Sequence, residues 1–266
     1  MDNNIVTVVG NGVFTTNLFP GQEVLAKAIT DRGFNVEKIE SEHPRDAYVH
    51  FKDKHLRKKE HGKHAEGGMI LTGTDYLLVS ENAFVASDSF PLEDAIAGRL
   101  DREAYRTWTK QRMEALYQAR VHVIESETFL PQGSEGHLDY SLLLLPHAGI
   151  LIIDDGIANK TVTEEAVQEA VRTEKLEVMH HGDPLYPDFG HPVNALVLSD
   201  GDKDVVFYDR NAKGLGRSLR YAGVESIPIN FPSFSQIYGV PLIHCSTNTY
   251  HKSQGISIDF LVEPIL

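Results

Sequence analysis

The chain has 266 residues and a single cysteine, Cys245. Without a second thiol no internal disulfide can staple the fold. A lone thiol suits a reducing compartment, so cytoplasmic residence is expected. Long apolar runs are also missing. The longest, around residues 142–145, is a strand-length piece, well short of the ~18–20 residues of a membrane-spanning helix. The first residues, Met1-Asp2-Asn3-Asn4, lack the basic-then-apolar layout of a secretory signal. Positive charge is in deficit: 25 Lys and Arg face 38 Asp and Glu, a net charge of −13. Nucleic acid and anionic membrane surfaces would be repelled, whereas a small cation would be drawn in. Gly10-Asn11-Gly12 lacks the third glycine of a dinucleotide fingerprint. No Pro/Ser-rich linker divides the chain, so residues 1–266 are expected to form a single domain.

Hydrophobic residues make up 41% and charged residues 24%, the proportions of a globular protein with a full core. Strand-like and helix-like segments alternate. Residues 5–9 are a β-branched run that ends in a glycine turn. Residues 22–31 carry apolar side chains at helical spacing (Val24, Leu25, Ala28, Ile29) and stop at Gly33. Residues 48–51 and 76–79 read as strands. Residues 91–120 read as the longest helix, with Pro91 near its start and Ser89 as cap. The rhythm repeats with strands over 122–125, 141–145 and 150–153 and a helix over 163–173. Residues 195–199 and 205–208 read as strands joined by the turn Asp200-Gly201-Asp202-Lys203. A helix over 215–221, ending at Gly223, and strands over 226–229, 242–247 and 256–261 finish the chain. Strand–strand–helix–strand units therefore recur without sequence identity.

Four stretches place acids, histidine and cysteine beside turn residues. They are His43-Pro44-Arg45-Asp46, Glu66-Gly67-Gly68, Glu135-Gly136-His137-Leu138-Asp139 and Ile243-His244-Cys245. His137 and Asp139 are two apart, so on an extended segment both project to one face. A planar guanidinium, with five N–H donors in a fixed fork, is matched by two or more carboxylates. A thiolate above its central carbon can attack it, and a bound cation or a protonated His137 favours thiolate over thiol. Singly, each stretch has an ordinary structural reading: a buried small residue, a solvated pair, a turn. Their joint occurrence in this order carries the argument.

That order resembles the guanidino-group-modifying superfamily, the pentein fold of arginine and agmatine deiminases, dimethylarginine hydrolases, protein-arginine deiminases and amidinotransferases. Arg45-Asp46 is similar to the family's Arg-Asp segment. Glu66-Gly67-Gly68 with Met69-Ile70-Leu71 is similar to its Glu-Gly-Gly signature. Gly136-His137-Leu138-Asp139 matches its His-x-Asp motif, and Ile243-His244-Cys245 its nucleophile motif in the form most like agmatine and protein-arginine deiminases. Residues 194–229, with Tyr208-Asp209-Arg210-Asn211 and Ala222-Gly223, are similar to the penultimate family repeat. The stretch before Cys245, Tyr238-Gly239-Val240-Pro241-Leu242, departs from the family's glycine-rich pattern. The short interval from Asp46 to Glu66 has no room for the helical insertion of arginine deiminases.

The resemblance implies an α/β fold: a five-bladed αβ propeller of strand–strand–helix–strand units around a central pore. It implies Cys245 as nucleophile, His137 as general acid and base, Glu66 beside the histidine or guanidinium, and Asp46 and Asp139 as guanidinium-binding carboxylates. No metal or organic cofactor is required. The expected activity is a deiminase acting on arginine or a related small guanidine. The alternatives are an amidinotransferase, a dimethylarginine-hydrolase type, a protein-arginine deiminase, or a non-catalytic pentein that serves as a binding module. The expected partner is the small guanidino substrate, without nucleic acid or membrane, and a homo-oligomer is compatible with all of these. Arg45 and Arg210 are candidates for clamping a substrate carboxylate, though each also has a structural reading. His50, His55, His61 and His64 lie among lysines and read as a basic loop rather than a metal site. His180, His181 and His191 with Asp183 read as a surface loop.

Overall fold

A computed structural model describes residues 5–10, 20–39, 48–52, 54–57, 67–84, 101–125, 137–154, 164–182, 192–230, 243–244 and 247–251. Asp46, Glu66 and Cys245 lie outside the described residues, as do residues 256–261, where a strand was expected.

The described chain repeats one arrangement four times. β5 (Ile70–Thr72) pairs antiparallel with β6 (Tyr76–Ser80), which leads through helix α2 (Arg102–Tyr117) to the parallel strand β7 (Arg120–Ile124). β8 (Leu142–Leu145), β9 (Ile150–Asp154), α3 (Glu164–Glu174) and β10 (Glu177–His181) do the same. So do β11 (Leu196–Asp200), β12 (Lys203–Asp209), α4 (Lys213–Tyr221) and β13 (Glu225–Ile229). In the fourth, β14 (Thr247–His251) supplies the antiparallel edge strand to β1 (Ile5–Gly10), α1 (Pro20–Asp31) and β2 (Asn35–Ile39). The two ends of the chain thus complete one sheet. A two-stranded hairpin, β3 (Tyr48–Phe51) with β4 (Lys54–Arg57), lies beside β14.

The strand sequences explain the packing. β8 and β9 read Leu-Leu-Leu-Leu and Ile-Leu-Ile-Ile-Asp and are buried throughout, because both faces of their sheet are covered. Alternate residues go to opposite sides. Leu142, Leu144, Leu151 and Ile153 pack under α3 together with Leu71, Tyr76 and Leu78 of the preceding sheet. Leu143, Leu145, Ile150 and Ile152 face the other way, onto Leu215 and Leu219 of α4. Leu25 and Ile29 of α1 likewise pack against Leu196, Leu198, Val205 and Phe207. Tyr105 and Met113 of α2 share a cluster with Ile70, Leu77 and Phe51 of β3. Each helix is therefore wedged between its own sheet and its predecessor. The contacts run in a cycle: the β3–β4 hairpin to β5–β7, to β8–β10, to β11–β13, to the β14–β1–β2 sheet, and back to β3.

Several sequence expectations need correction. The long helix begins at Arg102, where the Asp101 carboxylate accepts from the Glu103 and Ala104 amides, and ends at Tyr117, with Gln118 left-handed at φ 52°. Arg120 belongs to a strand instead. Ser89, Pro91, Ile96 and Leu100 lie outside the described residues. Residues 243–244 form a turn, and the strand expected over 242–247 starts at Thr247. His180 and His181 sit on β10 rather than in a surface loop; His180 is exposed and His181 buried, as alternation along a strand requires. The turn at 200–203 is a two-residue hairpin with Asp200 opposite Lys203 and Gly201 at φ 67°. No helix among the described residues is long and apolar enough to cross a membrane.

Candidate active site

The His137 backbone is extended at φ −78°, ψ 109°, and the next three residues form a 3-10 turn, Leu138–Tyr140, ahead of β8. The pairing expected from an extended His-x-Asp segment therefore arises differently. The turn brings Asp139 Oδ1 to 3.5 Å from His137 Nδ1, and both side chains are buried. The Tyr140 ring stacks on the His137 imidazole, with centroids 5.0 Å apart. Gly68, last glycine of Glu66-Gly67-Gly68, lies against this pair. A Cβ there would collide with His137 Nδ1 and sit 2.8 Å from Asp139 Oδ1, so only glycine lets the backbone approach so closely.

Two groups not assigned a role from the sequence complete the network. His244 Nδ1–H donates to Asp139 Oδ2 at 2.7 Å. The Asn194 amide donates to the same oxygen at 2.9 Å and to the Asp139 carbonyl at 3.3 Å. Its own carbonyl oxygen accepts the His244 backbone N–H at 2.9 Å. Thr247 holds the turn at residues 243–244, its hydroxyl donating to the Ile243 and His244 carbonyls at 3.1 Å each. Burial by itself would raise the Asp139 pKa, but hydrogen bonds and charge from His137 and His244 outweigh it. They hold the carboxyl well below its usual range. Asp139 is thus a buried carboxylate kept ionised between two imidazoles.

One topological rule places these residues. Asp139 stands three residues before β8, Asn194 two before β11, Gly68 two before β5 and His244 three before β14. Each is in the lead-in to the edge strand of a sheet, and they meet around Asp139, which with His244 lines a cavity of about 670 Å³. The cavity wall includes Leu71 and Thr72 of β5, Leu142–Leu144 of β8, Leu196–Ser199 of β11, Thr247 and Thr249 of β14, and His50 and Phe51 of β3. The edge strands thus form the lining. His50, third in β3, meets Thr249, third in β14: its Nδ1 accepts from the Thr249 hydroxyl at 3.0 Å while Nε2–H donates to the Lys52 carbonyl at 2.8 Å. His50 is thereby engaged in the cavity wall rather than in a basic loop. His55, on β4, stands opposite it in the hairpin; His61, His64 and His191 lie outside the described residues. Arg210, on the exposed turn after β12, is not among the residues lining this cavity, and Arg45 lies outside the described residues.

Of the sequence candidates, the structure brings His137 and Asp139 together and adds His244, the neighbour of Cys245. Asn194 was missed as a site residue. The one available signal was its position immediately ahead of a strand, the place the other candidates occupy.

No protein-family model and no curated protein sequence matches this chain. Its fold does match solved structures. Dimethylarginine dimethylaminohydrolase from Pseudomonas aeruginosa matches at a TM-score of 0.56 and 9% identity, over 92% of this chain and 98% of the other. The inosamine-phosphate amidinotransferase of Streptomyces griseus matches at 0.54 and 15%, over 85% and 78%. ArgZ, a cyanobacterial arginine dihydrolase, matches at 0.54 and 12%, over 99% of this chain and 40% of that protein. The chain spans 60% of the length of an amidinotransferase of the saxitoxin pathway of Microseira wollei. The fold is that shared by these guanidino-group-modifying pentein proteins, as the sequence resemblance implied.

Proposed function

We propose that this protein is a cysteine-dependent hydrolase of a small guanidine, arginine or a relative, working by the deiminase reaction. The observation that carries the proposal is the Asp139 carboxylate, held between His137 and His244, the residue immediately before Cys245, in the wall of a strand-lined cavity. A binding module has no need of an ionised carboxylate poised between two imidazoles. The neighbours' printed activities, dimethylarginine dimethylaminohydrolase, arginine dihydrolase and amidinotransferase, support guanidino chemistry in particular.

Chain position supports including the three candidates outside the described residues. Cys245 stands two residues before β14 and Asp46 two before β3, as Asn194 stands two before β11, and Glu66 stands four before β5. The reading takes the fold as a fivefold propeller of one domain, with the cavity as its pore.

In this reading Asp46 and Asp139 balance the guanidinium charge and Glu66 orients His137 or the substrate. The Cys245 thiolate adds to the guanidino carbon, forming a C–S bond and a tetrahedral adduct. His137 gives its proton to the departing nitrogen as the C–N bond breaks, leaving an amidino-thioether. His137 then takes a proton from water, whose oxygen adds to the same carbon. The C–S bond breaks and the hydroxyl proton of the adduct passes through solvent to the released ammonia, giving the ureido product, ammonium and the restored thiolate. No metal or organic cofactor enters these steps. The proposed partner is the small guanidine, met in a reducing compartment, and a homo-oligomer is compatible with this reading.

The test is turnover of arginine, agmatine, methylarginines, guanidinoacetate and an arginine peptide, with ammonia, released amine and ureido product assayed separately. Ammonia with a ureido product, abolished by Cys245→Ser, is the expected result. Released methylamine, or transfer to a second amine, would replace the deiminase by the hydrolase or transferase reaction of the structural neighbours. Turnover that survives Cys245→Ser would remove the nucleophile.

A further inference from the structure

Asn194 lies in the lead-in to β11, buried, and touches the two segments that carry the proposed chemistry. Its Nδ2 donates to Asp139 Oδ2 at 2.9 Å, the oxygen that also accepts from His244. Its Oδ1 accepts from the His244 backbone N–H at 2.9 Å, one peptide before Cys245. A carboxamide is the side chain that can donate to a carboxylate with one atom and accept from an amide with the other. Both bonds have the ordinary N–H···O length, the first buried and the second partly so, and misplacement of buried polar groups is costly.

We propose that Asn194 is a positioning residue: it locks the backbone entering Cys245 to the segment carrying His137 and aims Asp139 Oδ2 at His244. The proposal rests on the hydrolase reading and adds to it a residue that touches neither substrate nor reacting atoms. Its two bonds have separable effects. The amide-accepting bond fixes where the Cys245 segment begins. The carboxylate-donating bond neutralises part of the Asp139 charge, and so tunes how strongly that carboxylate holds protons on the imidazoles. The groups facing Asp139 are His137 from the 3-10 turn, with Tyr140 stacked behind it, and His244 from the turn before β14. Among the described residues, His50, Lys52 and His147 are the other titratable groups along the cavity.

Two variants separate the bonds. Asn194→Ala removes both side-chain bonds and leaves only the 3.4 Å bond from the His244 N–H to the backbone carbonyl of residue 194; kcat should fall about 10- to 100-fold with KM changed by less than about threefold, as displacement of catalytic groups by about 1 Å does. Asn194→Asp keeps the acceptor for the His244 N–H but sets a second carboxylate against Asp139. The histidines should then hold their protons to higher pH, moving the kcat–pH profile and the 15N-detected titration of the His244 ring upward by about one unit. Wild-type kcat and pH profile in both variants would overturn the proposal. So would a kcat loss in Asn194→Ala that matches its unfolded fraction while the His244 titration in Asn194→Asp stays put. If the wild-type protein turns over no guanidine, the hydrolase reading fails. The His244 titration still tests the clamp: a midpoint unmoved in Asn194→Asp refutes it, and an upward shift supports it.

Discussion

Asp139 is the residue on which the site turns. A carboxylate 2% exposed would ordinarily be neutral or absent; here two imidazoles and a carboxamide converge on it and keep it ionised. Because its folded pKa lies below the unfolded value of about 4, the stability it contributes is complete above that pH. That contribution is lost as pH falls through the depressed folded value. Asp139→Asn should therefore cost about 3 kcal/mol at neutral pH, and the gap in denaturant midpoint to the wild-type protein should narrow below about pH 4. A gap that widens in acid would show that Asp139 is not held ionised by its neighbours. The His137–Asp139 partnership was legible from the two-residue spacing, though a 3-10 turn, not extended backbone, delivers it. The parts played by His244 and Asn194 were not legible. A hydrogen bond between residues 105 apart, or 55 apart, leaves no periodicity in the chain.

At the scale of elements, what brings the candidates together is the lead-in to each edge strand. The strands themselves were readable where both faces are covered, because β6, β8 and β9 are unbroken apolar runs. β10 was missed: Glu177-Val178-Met179-His180-His181 is half-exposed and carries no such run. Residues 243–244 were read into a strand because Ile243 and the residues before it are apolar. Ile243 is indeed fully buried, but it reaches the core from a turn that Thr247 closes. The 3-10 turn at Gly67–Met69 leads into β5, and its second glycine is a sensitive point. Gly68→Ala sets a methyl group against His137 and Asp139, neither of which has room to retreat. The substitution should destabilise by about 1–3 kcal/mol and lower turnover at least about tenfold. Wild-type turnover in that variant, with an unchanged melting temperature, would mean that the close approach of β5's lead-in to the imidazole has no functional role.

For the whole molecule, the repeated unit explains how residues from sequence positions 68, 137, 139, 194 and 244 reach one place. Each helix packs between two sheets, so the sheets succeed one another around the cavity and their edge strands face inward. The alternation of strands and helices made the units visible in sequence. Their cyclic closure was not visible, since it depends on β14 joining β1 across nearly the full length of the chain. The central claim is that this arrangement serves covalent guanidino chemistry at Cys245. The most direct measurement is intact-mass and peptide-mapping analysis after incubation with a haloacetamidine, a guanidine mimic that alkylates a thiolate held beside a carboxylate-lined cation site. The account predicts one adduct, on Cys245, slowed by competing guanidine substrate and by Asp139→Asn, and absent in Cys245→Ser. A Cys245 that reacts no faster with the haloacetamidine than with a neutral haloacetamide, and that guanidines do not protect, would contradict it.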